Sequence, residues 1–103
     1  MTAPRGPNWL EHLAKHAPEI AQQIGAVQGT IQKDGALSLK TKTLMTMLGD
    51  ALLGHADGVA AIARRARSLG ATEQEIAETV AVAYLMGGLP ALISGTAAFR
   101  EPG

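Results

Sequence analysis

The sequence predicts a single all-α domain of about six helices. Apolar residues recur at intervals of three and four positions along most of the chain, and no segment shows the alternating pattern of a half-buried strand. Prolines, glycines and capping residues divide this pattern into segments of helical length. Because 103 residues suffice for one hydrophobic core and no linker interrupts them, we expect one domain over residues 1–103.

The first two helices are predicted before the turn at Gly35. Asn8 and Glu11 have the spacing of a capping box, which predicts a short helix that ends near His16. Pro18 suits the first turn of a second helix, and Gly35 is expected to end that helix. The apolar face of the second helix is predicted to contain Ile20, Ile24, Val27 and Ile31.

A third and a fourth helix are predicted to follow. Ser38 is expected to cap a helix from Leu39 to about Leu53, and the next helix is predicted from Asp57 to Leu69. The third helix is expected to bury Leu44, Met45, Leu48, Ala51 and Leu52, and to turn Lys40 and Lys42 towards water. The fourth helix is expected to bury Val59, Ile62, Ala63 and Ala66.

The last two predicted helices carry little charge. Thr72 and Glu75 form a capping box for a fifth helix, Glu73 to Met86, and a sixth is predicted from Pro90 to about Arg100. The last turns of the fifth helix are apolar on every side, and such a helix must be covered on every side. A chain this short cannot easily supply that cover, so we expect a homo-oligomer that packs through these two helices.

A membrane span is the alternative interpretation of the same region. The stretch from Thr79 to Phe99 contains no charged residue and has roughly the length needed to cross a bilayer. However, Gly87-Gly88-Leu89-Pro90 divides it near the middle, and each half is then too short to cross. We therefore predict two buried helices and no membrane partner.

The composition excludes several functional classes. The sequence contains no cysteine, which excludes disulfides, thiolate nucleophiles and cysteine-ligated metal centres. Its nine basic and nine acidic residues cancel, whereas nucleic-acid-binding proteins usually show a basic excess. No nucleic-acid partner and no cofactor are expected. Residues 1–8 lack the apolar segment of a signal peptide, so a cytoplasmic location is expected.

Three segments between residues 37 and 99 occur in an order and at a spacing known from one protein family. They are Leu39-Lys40-Thr41-Lys42, Leu69-Gly70-Ala71-Thr72-Glu73-Gln74-Glu75-Ile76 and Met86-Gly87-Gly88-Leu89-Pro90-Ala91. On these segments the chain resembles the carboxymuconolactone decarboxylase and alkyl hydroperoxidase D family. The resemblance implies the alkyl hydroperoxidase D-like helical fold and assembly as a trimer or a hexamer.

The redox residues of that family are missing from this chain. Its peroxidase-like members carry a Glu, a Cys-x-x-Cys pair and a His, which together tune a thiolate for attack on peroxide. An ungapped count from the Gly70-Ala71-Thr72 turn puts these four positions at Thr43, His55, Gly58 and Ile62. A register with one residue deleted puts the two cysteines and the histidine at Ala56, Val59 and Ala63. Neither register supplies a thiol or the relay histidine.

The resemblance therefore implies a family member without the thiol peroxidase site. We expect a non-redox homo-oligomer that binds a small molecule or has a structural role. A decarboxylase or isomerase that acts on a small carboxylated or lactone substrate is the main alternative, because decarboxylase members of the family work without cysteines. A peroxidase-related antioxidant role, by family alone, is a further alternative that the composition argues against.

The candidate catalytic residues are His55 and Asp57, at the predicted start of the fourth helix, where the resemblance places the active site. A histidine can act as a general base near neutral pH, and Asp50 or Asp57 could orient it. The simpler interpretation is that Asp57 only complements the positive end of the helix dipole. Both interpretations stay open at this point.

Arg64, Tyr84 and Met86 are the candidate substrate-binding residues. Arg64, together with Arg65 and Arg67, could attract a small anionic ligand, although such a cluster is more often a solvated helix face. Tyr84 and Met86 could line a pocket. The alternative interpretation makes Met86 core filler and Tyr84 a buried side chain bonded to the backbone.

His12 and His16 lie four positions apart on the first helix, a spacing that lets two imidazoles bind one metal ion from the same face. Two ligands do not complete a site, and the remainder would have to come from another subunit. We therefore expect two solvated histidines and no metal.

Overall fold

The computed structural model describes residues 9–101, and every regular element in that range is helical. In chain order the elements are α1 Trp9–His16, α2 Pro18–Ile31, α3 Leu39–Leu52, α4 Ala56–Ser68, α5 Glu73–Gly95 and a 3-10 turn Thr96–Phe99. The all-α prediction is confirmed, and α1, α3 and α4 lie within one residue of their predicted bounds. The capping residue predicted at Asn8 lies outside the described residues.

The core lies where α3, α4 and α5 pack against one another and against the 3-10 turn. Alanines make up most of its buried side chains, and the largest fully buried ones are Met47, Val59 and Ile76. Small residues let the helix backbones come close together. At Gly95, for example, an added Cβ would lie only 2.8 Å from Cγ1 of Val80.

The buried face of α3 differs from the predicted one. Met47 is 1% exposed, whereas Met45 is 53% exposed, and Leu52 is also exposed. Burial of Ala51 agrees with the prediction, but burial of Met45 and Leu52 is wrong. Two methionines two positions apart point to different sides of a helix, and the sequence pattern fits either side nearly equally well. Packing against α4 and α5 selects the side of Met47.

The predicted capping box of α5 is present and is linked to α3. The Thr72 hydroxyl accepts a hydrogen bond from the Glu75 backbone N–H at 3.0 Å, and the Glu75 carboxylate accepts one from the Thr72 N–H at 2.8 Å. Lys40, expected to face water, donates to both Glu75 carboxylate oxygens at 3.1 and 3.2 Å. The Thr72 backbone bond, and then Lys40, hold the pKa of Glu75 below its ordinary value. These bonds join the starts of α3 and α5.

The end of α2 is closed by a lysine rather than by a glycine. The helix ends at Ile31, and Lys42 Nζ donates to the carbonyl oxygens of Ile31 and Lys33 at 2.9 Å each. The predictions that Gly35 caps this helix and that Lys42 faces water are both wrong. The lysine thus ties the end of α2 and the residues after it to α3, and adds a positive charge at the negative end of the helix dipole.

The predicted break between a fifth and a sixth helix is a kink inside α5. Gly88 leaves the helical conformation, with φ 68° and ψ −159°, and the helix then resumes through Pro90 to Gly95. The predicted break is therefore confirmed, because two helical segments meet at this non-helical residue. The predicted end of the second segment near Arg100 is wrong, because the 3-10 turn replaces its last part. A change of direction within one residue needs the positive φ that glycine adopts most readily.

Helix α5 is apolar on two opposite sides, and only one of them is covered. The buried stripe, which faces the core, consists of Ile76, Val80, Ala83 and Ala91. The exposed stripe, here called the α5 apolar face, consists of Val82, Leu85, Met86, Leu89 and Ile93. The predictions that Met86 fills the core and that Tyr84 is buried are wrong, because their exposed fractions are 85% and 52%.

Among residues 9–101, the segment Glu73–Phe99 passes the length and hydropathy criteria for a membrane-spanning helix. Only 22% of its most apolar window is buried within the chain. The single chain therefore leaves the α5 apolar face exposed, and its burial between subunits stays a prediction.

Helices α1 and α2 form a hairpin that packs on itself. Within the described part of the chain, neither helix packs against α3, α4 or α5, apart from the bonds of Lys42 to the end of α2. Ala21 is the only buried residue of α2, and Ile20, Val27 and Ile31 are each more than half exposed. A short helical hairpin is marginally stable in water without further packing.

Candidate functional site

A cleft of about 430 Å³ opens between the end of α2, the start of α3 and the middle of α4. We call it the α3–α4 cleft. Its apolar lining consists of Ile31, Leu37, Leu39, Met45 and Ile62. Its other lining residues are Gln32, Lys42, Thr43, Thr46 and Arg65. The volume lies within the range of about 300–1,000 Å³ that is usual for small-molecule sites.

The two threonines of the cleft use their hydroxyls within their own helix. Thr43 Oγ1 donates to the carbonyl oxygen of Leu39 at 2.8 Å, and Thr46 Oγ1 donates to that of Lys42 at 2.9 Å. Because these hydroxyl protons are already engaged, they are not free to bind a polar ligand. The walls of the cleft are therefore more apolar than its residue types suggest.

The charge in the cleft is positive only. Lys42 and Arg65 line it, and none of its lining residues is an aspartate or a glutamate. Two of the three N–H groups of Lys42 are bonded to carbonyl oxygens of the chain, which leaves one. The Arg65 guanidinium makes no hydrogen bond or ion pair with the described residues 9–101, although the Arg65 carbonyl oxygen accepts hydrogen bonds from Ser68 Oγ and from the Leu69 N–H. A cation without a partner thus borders an apolar cavity.

The cleft lies at the positions that the family resemblance assigns to the redox relay. Thr43 and Ile62, the Glu and His positions of the ungapped register, both line it. In the shifted register, Val59 and Ala63 replace a cysteine and the histidine, yet both are completely buried in the core. In the ungapped register, the two cysteine positions, His55 and Gly58, do not line the cleft either, so only the Glu and His positions of that register meet there. At the Glu position, Thr43 has a hydroxyl that bonds to its own helix, and at the His position, Ile62 has a hydrocarbon side chain.

The second cysteine position of that register, Gly58, is occupied in space by another side chain. A Cβ added to Gly58 would lie 2.5 Å from Asp50 Oδ2 and 2.8 Å from Asp50 Cγ. A cysteine at this position would therefore require the Asp50 carboxylate to move. The loss of the cysteine is therefore not the only difference at this position, because the Asp50 carboxylate occupies part of the space that a side chain on residue 58 would need.

Asp50, and not Asp57, is the acidic partner of His55. His55 Nδ1 lies 3.3 Å from Asp50 Oδ1, and the His55 backbone N–H donates to the Asp50 carbonyl oxygen at 2.9 Å. The Asp57 carboxylate instead accepts a hydrogen bond from Arg100 Nη1 at 2.8 Å, with its side chain 98% exposed. A histidine with an aspartate on one ring nitrogen can accept a proton on the other. However, His55 lines neither described cavity.

The arginines of α4 divide between two sides of the helix. Arg64 and Arg67 border a second hollow of about 310 Å³, whereas Arg65 borders the α3–α4 cleft. Arg67 donates to the Glu73 carboxylate at 2.6 and 2.9 Å and to the Ala98 carbonyl oxygen at 2.9 Å. The hydrogen bond between the two side chains raises the pKa of Arg67 and lowers that of Glu73. Arg67 is therefore a structural clamp rather than a free anion-binding group.

The five predicted site residues do not form one site. His55 and Asp57 lie at the start of α4, Arg64 borders the second hollow, and Tyr84 and Met86 lie exposed on α5 and line neither cavity. No described cavity connects these three places.

The sequence analysis named Arg65 only within the cationic cluster and chose Arg64, rather than Arg65, as the candidate binding residue. Arg65 lies three positions after Ile62, a spacing that places both on one side of α4, just as Thr43 and Thr46 share one side of α3. That shared spacing was the available signal. It could not be interpreted without knowing which sides of the two helices face each other.

His12 and His16 both lie exposed on α1. Within the described residues, no three side chains of the metal-ligating types come together. Among the described residues, His12 and His16 therefore have no third metal ligand near them, and a metal ion shared between subunits stays a hypothesis.

Comparison with known proteins identifies the family of this chain. The Carboxymuconolactone decarboxylase family profile matches residues 18–101. An uncharacterized protein of Methanocaldococcus jannaschii is 26% identical over 92 residues, which cover 89% of this chain and 86% of that protein. The crystal structure of an apo carboxymuconolactone decarboxylase family protein from Legionella pneumophila is similar with a TM-score of 0.80 at 30% identity, over 88% of this chain and 81% of that one. The chain belongs to the carboxymuconolactone decarboxylase family.

Proposed function

We propose that this protein is a non-redox member of its family that binds a small molecule in the α3–α4 cleft and assembles as a homo-oligomer. One observation carries the proposal. The relay positions Thr43 and Ile62 face a cleft of ligand size, and neither supplies an acid, a base or a thiol. A cavity without reactive side chains can still bind, because burial of apolar surface drives association without chemistry.

The binding proposal is tested with octanol, an uncharged apolar probe. We expect saturable binding of one octanol per subunit in calorimetry, and we expect Thr46→Trp to abolish it because the indole fills the cleft. Thr30→Trp is the matched control, since Thr30 is also exposed and also donates to a carbonyl oxygen four residues earlier, yet it lies outside the cleft. Absence of octanol binding, or equal loss in both variants, would contradict the proposal.

The assembly proposal rests on two apolar surfaces that the single chain leaves open. The first is the α5 apolar face, and the second is the exposed side of α2 that carries Ile20, Val27 and Ile31. Their different shapes and positions on one chain suit a head-to-tail contact, in which α2 of one subunit covers α5 of the next. Such contacts close into rings when the rotation permits, which agrees with the trimer or hexamer that the family resemblance implies.

Another subunit fits the α5 apolar face better than lipid does. The backbone of Gly88 is not helical, and Pro90 has no N–H to donate. Backbone groups left without helical partners are costly in a bilayer, where water cannot replace them. A protein partner can supply those partners as well as apolar cover.

A decarboxylase or isomerase acting on a small carboxylated or lactone substrate is the second candidate function. The contact between His55 and Asp50 favours it, because it provides an oriented base at the helix start. In a screen of such substrates, any conversion due to this site should disappear in His55→Ala and persist in His16→Ala, which changes an exposed histidine elsewhere. Conversion that survives His55→Ala would exclude this base.

A further inference from the structure

The residues that line the α3–α4 cleft indicate the chemistry of its ligand as well as its size. The inference drawn from them rests on the binding function proposed above. Five of its ten lining residues are apolar, and both threonine hydroxyl protons are engaged within α3. Apart from the two cations, the lining offers a ligand only the Gln32 amide and the lone pairs of the two threonine oxygens, so a strongly polar body would lose more hydrogen bonds to water than it regains. The body of the ligand should therefore be apolar.

The two positive charges in the lining indicate which polar group the ligand carries. The Arg65 guanidinium has no hydrogen-bond partner within the described chain, and Lys42, which also lines the cleft, retains one free N–H group. A planar guanidinium matches the two oxygens of a carboxylate and binds them through two parallel hydrogen bonds. With no acidic residue in the lining, nothing in the cleft competes with an anionic ligand.

The number of charges is also limited. The Arg65 guanidinium can bind one carboxylate through two parallel hydrogen bonds, whereas Lys42 has only one N–H left for a ligand. A second carboxylate on the same ligand would therefore lack a bidentate partner, so the lining favours one carboxylate over two. We infer that the α3–α4 cleft binds a small monocarboxylate with an apolar body, whose carboxylate is held by Arg65.

The test compares octanoate with octanol, which share one hydrocarbon chain and differ in the charged end. We expect octanoate to bind at least about tenfold more tightly at neutral pH and low salt, since hydrogen bonds to charged groups are the stronger ones. In Arg65→Gln the two affinities should become nearly equal. Arg64→Gln is the matched control, because the neighbouring arginine borders the other hollow and should leave the preference unchanged.

Each outcome decides a different claim. If octanol binds but octanoate binds no more tightly, the monocarboxylate inference is wrong while the proposed binding function stands. If neither probe binds the wild-type protein, the proposed function itself fails, and the inference fails with it. If the preference persists in Arg65→Gln or disappears in Arg64→Gln, the assignment to Arg65 is overturned.

Discussion

Leu85→Glu is expected to convert the homo-oligomer into a monomer. Leu85 lies on the α5 apolar face and is 78% exposed in the single chain, so the change leaves the core intact. In the assembly, the same position would be covered by a neighbouring subunit, and a buried carboxylate without a partner costs about 3–5 kcal/mol. That cost weakens association at least about 100-fold for each contact. Size-exclusion chromatography with light scattering measures the result.

The matched control for this prediction is Leu53→Glu. Leu53 is 71% exposed and lies in the turn between α3 and α4, outside the α5 apolar face. This variant should retain the wild-type mass, while circular dichroism should show full helicity for both variants. A wild-type protein that is already monomeric would contradict the assembly proposal. An oligomer that tolerates Leu85→Glu would show that α5 is not at the contact.

Met47→Ala is expected to reduce the free energy of unfolding by about 2–5 kcal/mol. Met47 is 1% exposed and is among the largest side chains buried between α3, α4 and α5. Most of the neighbouring core residues are alanines, whose side chains are too short to fill the cavity left behind. Since a domain of this size is stabilised by only about 5–15 kcal/mol, the loss is a large fraction of the total. Chemical denaturation at one fixed protein concentration measures it.

The control is the same substitution on the other side of the helix. Met45 also lies in α3 but is 53% exposed, so Met45→Ala has the same helix-propensity effect without the cavity. We expect a change within about 0.5 kcal/mol for this variant. Equal destabilisation by the two substitutions would mean that α3 packs with a different side towards the core.

The fold was largely predictable because its signals are local. The Thr72–Glu75 capping box and the Ser38 cap act within one turn of their helices, and both are present in the structure. The side of α3 that is buried depends on neighbouring helices, and for that reason Met45 was placed wrongly. The interruption at Gly88 was predictable from the local Gly87-Gly88-Leu89-Pro90 sequence, whereas the direction of the helix after it depends on packing and was not.

The candidate site was much less predictable than the fold. The resemblance located the relay positions at Thr43 and Ile62, and the structure places both in one cleft. It did not reveal Arg65, because the role of a charged residue on α4 depends on which helix lies opposite. His55 lies at the start of α4, as predicted, and its catalytic role stays a prediction. Its partner Asp50 was one of two open alternatives, and only the turn geometry decided between them.

The most direct measurement is a titration of the isoleucine-methyl-labelled protein with octanol, followed by nuclear magnetic resonance. The account predicts that the methyl signals of Ile62 and Ile31 in the α3–α4 cleft shift with saturation, while that of Ile76 in the core does not. Shifts confined to Ile93 would place the ligand on the α5 apolar face, and an unchanged spectrum would mean that nothing binds. Either result would contradict the claim that the former relay site is now a binding cleft.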